Sequence, residues 1–168
     1  TDVGVDILSL GGTKIGAIGA EAVVVLDSTS EIGTQAANAL PYLRKTSMQL
    51  PSKMRFVSAQ LNALFGSDAL ALSLAKHANA MAQELFTGLQ AISKAHPELV
   101  SLPVACEANA VFPVFDPKLT LLLRESWYFY DWDVSKKQVR LMCAWDTELE
   151  QIQAFLSDVR SACSGLNL

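Results

Sequence analysis

The sequence is poor in the side chains that build metal centres. Three cysteines (Cys106, Cys143, Cys163) and two histidines (His77, His96) are spread over 168 residues without ligand spacing. Neither a zinc site nor a disulfide framework is expected. A basic excess is missing too: 13 Lys and Arg against 17 Asp and Glu leave a net charge of -4, with the cations scattered. That distribution sets nucleic acid aside as a partner. No apolar run is long enough to span a bilayer, and no basic segment leads into an apolar one as in a secretory leader. No membrane partner is expected, and a reducing cytoplasm is the default compartment. Internal repeats and low-complexity tracts are likewise missing.

What the chain has in quantity is core: 51% of its residues are hydrophobic and 18% charged, a composition that globular domains show and disordered ones do not. Residues 5–10 and 22–26 read as short apolar strands, of the kind buried on both faces of a mixed or parallel sheet. "GGTKIGAIGAE" forms a glycine-rich turn between them. A weaker helical pattern covers 31–44, and Pro51 fits the first turn of a helix that Gly66 stops near Phe65. A long helix is expected from a Ser67-Asp68 cap, with Leu70, Leu74, Ala78, Met81, Leu85, Leu89 and Ile92 in one stripe, and His96-Pro97 ends it. Beyond it, 108–115 reads as a strand. Asp116-Pro117 caps a short helix with Leu119, Leu122 and Leu123 on one side. Residues 127–132 and 138–144 read as a strand pair. Thr147-Glu148-Leu149-Glu150 has the spacing of a capping box, and opens a last helix with its stripe on Leu149, Ile152, Phe155, Leu156, Val159 and Cys163. Strand, helix, strand, strand, helix describes a compact α/β lobe.

Lys14 is the first candidate for chemistry. An amine becomes a nucleophile when it spends time neutral, and limited solvation favours that state. A glycine-rich turn at the mouth of a sheet limits solvation, offers backbone N–H groups to an anion, and lets a bulky ligand approach the main chain. Lys14 beside Thr13 therefore suits a Schiff-base lysine next to a phosphate. "GGTK" alone fits a surface lysine in a tight turn at least as well. Arg55, early in a helix, reads as a solvated charge. In "QVRLMCA" Val139, Leu141 and Cys143 share one face and Arg140, Met142 and Ala144 the other. Arg140 then points to solvent, to a carboxylate partner or into a cleft. His77 reads as an interface histidine, the aromatics of 127–132 as strand packing, and Glu148 and Glu150 as helix-start charges.

The segment "DILSLGGTKIGAIGAEAVVVL" resembles the cofactor-lysine segment of the low-specificity L-threonine aldolases, which runs approximately D-x-L-S-F-G-G-T-K-N-G before a G/A-E-A-V-V-F strand. The similarity continues in order through "LRKTSMQLPSKMRFVSAQLNAL", "AKHANAMAQEL", "ACEANAVF" and "VRLMCAWDTELEQI". It covers almost the whole chain. Ile15 stands where the family usually has asparagine, which removes a polar group beside the lysine.

The resemblance implies an α/β fold, the C-terminal half of a fold-type I pyridoxal-phosphate enzyme. Residues 1–66 would end the large mixed-sheet domain, and 67–168 would form the long connecting helix and the small domain. It implies pyridoxal 5'-phosphate as cofactor, joined to Lys14, with Thr13 and Arg55 also binding it and Arg140 taking the substrate carboxylate. The implied reaction is retro-aldol cleavage of L-threonine or L-allo-threonine to glycine and acetaldehyde. The implied assembly is a homo-oligomer with active sites shared between subunits. The start at Thr1, just before an unpaired apolar strand, suggests that the chain is part of a larger protein and inactive alone. Related readings are a lyase for another β-hydroxy amino acid, such as phenylserine, or a non-catalytic oligomerisation lobe.

Overall fold

A computed structural model describes residues 3–68 and 70–166. The chain divides into two compact units, Thr1–Ala71 and Leu72–Leu168. Among the described residues no helix is long and apolar enough to cross a membrane.

In the first unit, β1 (Ile7–Gly11) and β2 (Glu21–Val25) pair antiparallel, with Ile7 opposite Val25 and Gly11 opposite Glu21. The expected two-face burial is not observed. Ile7, Leu8 and Val23 remain 37%, 40% and 54% exposed, because a two-stranded ribbon has few neighbours to cover its faces. Helix α1 (Glu31–Thr46) starts where the Ser30 side chain accepts the Gly33 N–H, and carries Pro41 inside it. Helix α2 (Met54–Phe65) begins three residues after Pro51. The proline is therefore not in its first turn. Ser52 and Lys53 form a turn, and the helix starts without a side-chain cap.

The second unit is built on α3 (Leu70–Ala95, 26 residues), which is described from Leu70 onward. The proposed Ser67-Asp68 cap runs into residue 69, outside the described residues. The stripe is deeply buried at Ala78, Leu85, Leu89 and Ile92, whereas Leu70 is exposed. Leu85, Leu89 and Ile92 join one cluster with Val100, Val111, Phe115, Leu119, Val139, Phe155 and Val159.

The sheet is antiparallel: β3 (Val100–Ser101), β4 (Ala110–Val111), β5 (Val114–Phe115), β6 (Tyr130–Asp133) and β7 (Gln138–Met142). The single strand expected over 108–115 is notched into β4 and β5. Pro113 has no N–H to give the ladder, yet the register continues past it, with Val111 opposite Leu141 and Val114 opposite Gln138. Strand β7 is thus central, with β4 and β5 along one edge and β6 along the other. Helix α4 (Pro117–Leu123) is capped by Asp116, which accepts the Lys118 N–H. Leu119 and Leu123 are buried, while Leu122 faces out.

Helix α5 (Leu149–Leu166) buries Ile152, Phe155, Leu156, Val159 and Cys163, but not Leu149. Its start differs from the expected capping box. The Thr147 hydroxyl accepts the Ala144 N–H, and Gln151 instead turns back to accept the Glu148 N–H. The three cysteines are free. Burial raises all three thiols, and Cys143 is pushed up to about 11.

The turn from β6 to β7 is closed by Asp133, whose carboxylate accepts from Ser135 Oγ at 2.6 Å and Lys136 N at 3.2 Å and lies 2.8 Å from Lys136 Nζ. The Lys136 ammonium first, then the Ser135 hydroxyl, lowers the Asp133 carboxyl to about 2. A lowered folded value means that the charged form favours the fold. Its contribution is full above about pH 4 and is lost as pH falls toward the folded value. Substitution D133N is expected to lower stability at neutral pH, and the gap from wild type to close on acidification. Parallel urea titrations at several pH values read this out, and a gap constant down to pH 2 would contradict it.

Candidate functional site

The turn joining β1 to β2 is fixed by its backbone. Gly12 N–H donates to Ala20 O at 2.7 Å, and Gly12 O accepts from Ile15 and Ala17, each at 3.1 Å. A short 3-10 turn spans Thr13–Ile15 and ends on Gly16 at φ 106°, a left-handed conformation that glycine adopts without cost. Gly12 is required for space. A Cβ there would stand 2.8 Å from the Ala20 carbonyl oxygen and 3.1 Å from Leu64 Cδ1.

Lys14 rides at the centre of this turn, exposed. Among the described residues its ammonium makes no ion pair. Thr13 is occupied: its hydroxyl donates to Glu21 Oε1, and its N–H reaches the same oxygen at 3.3 Å. Glu21 pairs with Gly11, where a Cβ would lie 2.7 Å from Glu21 Oε2. The glycine therefore leaves room for the carboxylate to fold over the strand end and hold the turn. Further along, Ile18 N–H donates to Gln60 Oε1 at 2.8 Å, which ties the turn to α2. Arg55 stands in the first turn of that helix, exposed, its guanidinium 4.8 Å from the Phe56 ring centroid. Thr13 and Lys14 are thus neighbours on one turn, and Gln60 links that turn to the helix bearing Arg55.

Arg140 belongs to the second unit. Val139, Leu141 and Cys143 are buried, Arg140 is half-buried, and Met142 and Ala144 are exposed, so the two-residue alternation holds. Arg140 Nε is buried without a hydrogen-bond partner. Nη2 has only the Met142 thioether, at 3.1 Å, a weak acceptor. No described carboxylate lies within ion-pair distance. A guanidinium this poorly satisfied has donors to offer an anion. It opens on a cavity of about 370 Å³ that Tyr130, Thr147 and Gln151 also line. His77 Nε2 lies 2.8 Å from the carbonyl oxygen of Thr147, one of the lining residues. Trp127 donates Nε1–H to Asp158 at 2.8 Å and packs edge-on to Phe155. Among the described residues no group of three or more metal-binding side chains gathers.

Two contacts around these residues have no signal in one-dimensional spacing. Glu21 shows its role only once it is paired with Gly11. Trp132, whose ring centroid is 5.6 Å from the Arg140 guanidinium, depends on a bulge in β6.

Known proteins bear on both units. The chain is 35% identical over 162 residues to the low specificity L-threonine aldolase of a Pseudomonas species, covering 96% of this chain and 43% of that protein. It is 35% identical over 158 residues to the low specificity L-threonine aldolase of Pseudomonas aeruginosa, covering 94% and 42%. The solved structure of Leishmania major threonine aldolase matches with a TM-score of 0.79 at 23% identity, over 94% of this chain and 43% of that one. That likeness shows a shared mixed α/β fold. No family model matches the chain. The chain spans about two fifths of the length of the curated relatives it matches.

Proposed function

From its relation to the low specificity L-threonine aldolases, shared over 43% of their length, we propose that this chain carries the lysine-bearing part of a pyridoxal-phosphate-dependent carbon–carbon lyase. In this reading residues 1–66 end the large domain of a fold-type I enzyme, and 67–168 form its connecting helix and small domain. The substrate is a β-hydroxy amino acid, L-threonine or L-allo-threonine, cleaved to glycine and acetaldehyde. The working assembly is a homo-oligomer.

The donor set fits the cofactor. An exposed amine with no ion pair suits an aldehyde, and guanidinium groups suit a phosphate and a carboxylate. When bound, pyridoxal phosphate supplies that aldehyde and an electron sink for the bond that breaks. Lys14 would hold the cofactor through its aldehyde, its amine being the nucleophile for that carbonyl. The Gly12 and Gly16 backbone and the Glu21 clamp on Thr13 keep Lys14 at the crest of the turn, so Thr13 acts through the turn's shape. Arg55 places a delocalised cation for the phosphate. Arg140 offers guanidinium N–H donors to the α-carboxylate, which fixes the substrate's orientation before the bond is strained.

The observation that carries this reading is Lys14: an unpaired ammonium on a turn whose glycine positions are sterically fixed. Borohydride reduction of the complete protein after incubation with pyridoxal phosphate is expected to place a pyridoxyl group on Lys14, read by peptide mass. Labelling spread over the surface lysines with none favoured would return Lys14 to an ordinary turn residue.

A further inference from the structure

We propose that Trp132 is a positioning residue for Arg140, aimed by the bulge in β6. The functional consequence rests on the carboxylate-binding reading of Arg140; the contact itself does not. In the pairing of β6 with β7, Tyr130 faces Arg140 and Asp131 faces Val139. A regular strand would next set Trp132 opposite Gln138. Asp133 stands there instead, and the register shifts between Asp131 and Asp133. Trp132 is the extra residue, and a bulge of this kind sharpens the local twist and re-aims the side chain it frees.

The indole is aimed at Arg140. Its ring centroid lies 5.6 Å from Cζ of the guanidinium, inside the range of cation–π attraction. A second ring supports it from the other edge of the central strand. Phe112 follows Val111, which pairs with Leu141, and so comes level with Arg140. The Phe112 and Trp132 ring centroids are 5.0 Å apart at 58°. Strands on opposite sides of β7 therefore send their aromatics to meet above it, at the residue that carries the charge.

A guanidinium binds π systems through its face and carboxylates through its edge. Contact with the indole consumes no N–H donor. It limits rotation of the long side chain, so less freedom is lost when an anion docks. A carboxylate side chain in place of Trp132 would neutralise Arg140 and occupy the fork. Of the groups facing Arg140, Trp132, Phe112, Tyr130 and Met142 carry no charge at neutral pH, which keeps the cation open to an external anion.

Three variants of the complete protein test this: W132L, which stays apolar but loses the π face, W132F, which keeps a π face, and R140K. Two quantities are read for each, the steady-state constants for L-threonine and, for the tryptophan variants, the rate of Arg140 modification by phenylglyoxal. W132L is expected to raise KM about fivefold with little change in kcat, and to speed the modification several-fold, whereas W132F recovers most of both. Equal modification rates in W132L and W132F overturn the role of Trp132. An unchanged KM in R140K overturns the carboxylate assignment of Arg140 and leaves the modification rates to decide the Trp132 contact separately. Wild-type KM and modification rate in W132L would show that the indole is only surface packing.

Discussion

Replacing Lys14 with alanine in the complete protein is expected to lower threonine cleavage by about a thousandfold or more, since the step proposed for it is covalent. The informative companion is K14R. Arginine keeps the positive charge and much of the length but is not a nucleophile at neutral pH. Were Lys14 a turn residue valued for charge, K14R would work nearly as well as wild type. The proposed role requires K14R to fail as K14A does. Circular dichroism of both variants guards against a trivial cause, and the exposed position of Lys14 makes gross misfolding unexpected. Acetaldehyde release under saturating cofactor is the measurement, and activity retained in either variant within tenfold of wild type would sink the assignment.

The largest stability effect is expected at Phe115. Its side chain is fully buried in the cluster and meets Phe129 edge-on at 6.4 Å. Its strand is held on both sides, by Val100 and by β7. Its neighbour Asp116 caps α4, so the surrounding backbone has little freedom to collapse into a void. Substitution F115A should therefore cost about 3–5 kcal/mol, transfer and cavity terms together. Leu121, 68% exposed on α4, is the control, and L121A should stay within about 0.5 kcal/mol of wild type. Urea unfolding followed by tryptophan fluorescence separates the two outcomes. A loss below about 1 kcal/mol at Phe115 would mean that the cluster closes over the gap.

The parts of this fold legible in the sequence are those governed by period and local chemistry. The three-and-four spacing of α3 and α5 identified their buried faces. The two-residue alternation around Arg140 placed it opposite Val139 and Leu141, and Asp116 before Pro117 announced a helix cap. The glycines around Lys14 marked its turn. What stayed hidden depends on partners distant in sequence or on one residue of slippage. The bulge at Trp132 is a property of the pairing with β7, which no reading of "YDWD" alone contains. Glu21 looks like a strand-start charge until Gly11 lies across from it. The cap of α5 slipped because Thr147 had a nearer donor in Ala144, which left Gln151 to serve Glu148. Pro51 had the right chemistry for a first helical turn, but the chain spent two more residues turning before Met54. Burial of β1 and β2 failed for a different reason: their composition describes the layers a strand can accept, and this unit supplies few.

The thiols bear on how such experiments are run. A thiol held at about 11 is ionised at neutral pH in about one molecule in ten thousand. Cys143 therefore has little thiolate with which to begin oxidation to sulfenic acid. Cys163 is buried and raised as well, and Cys106, the more open of the three, is raised by the same desolvation. Burial thus holds all three thiols toward the neutral form. Borohydride trapping of the proposed Lys14 adduct therefore meets little thiolate at Cys143.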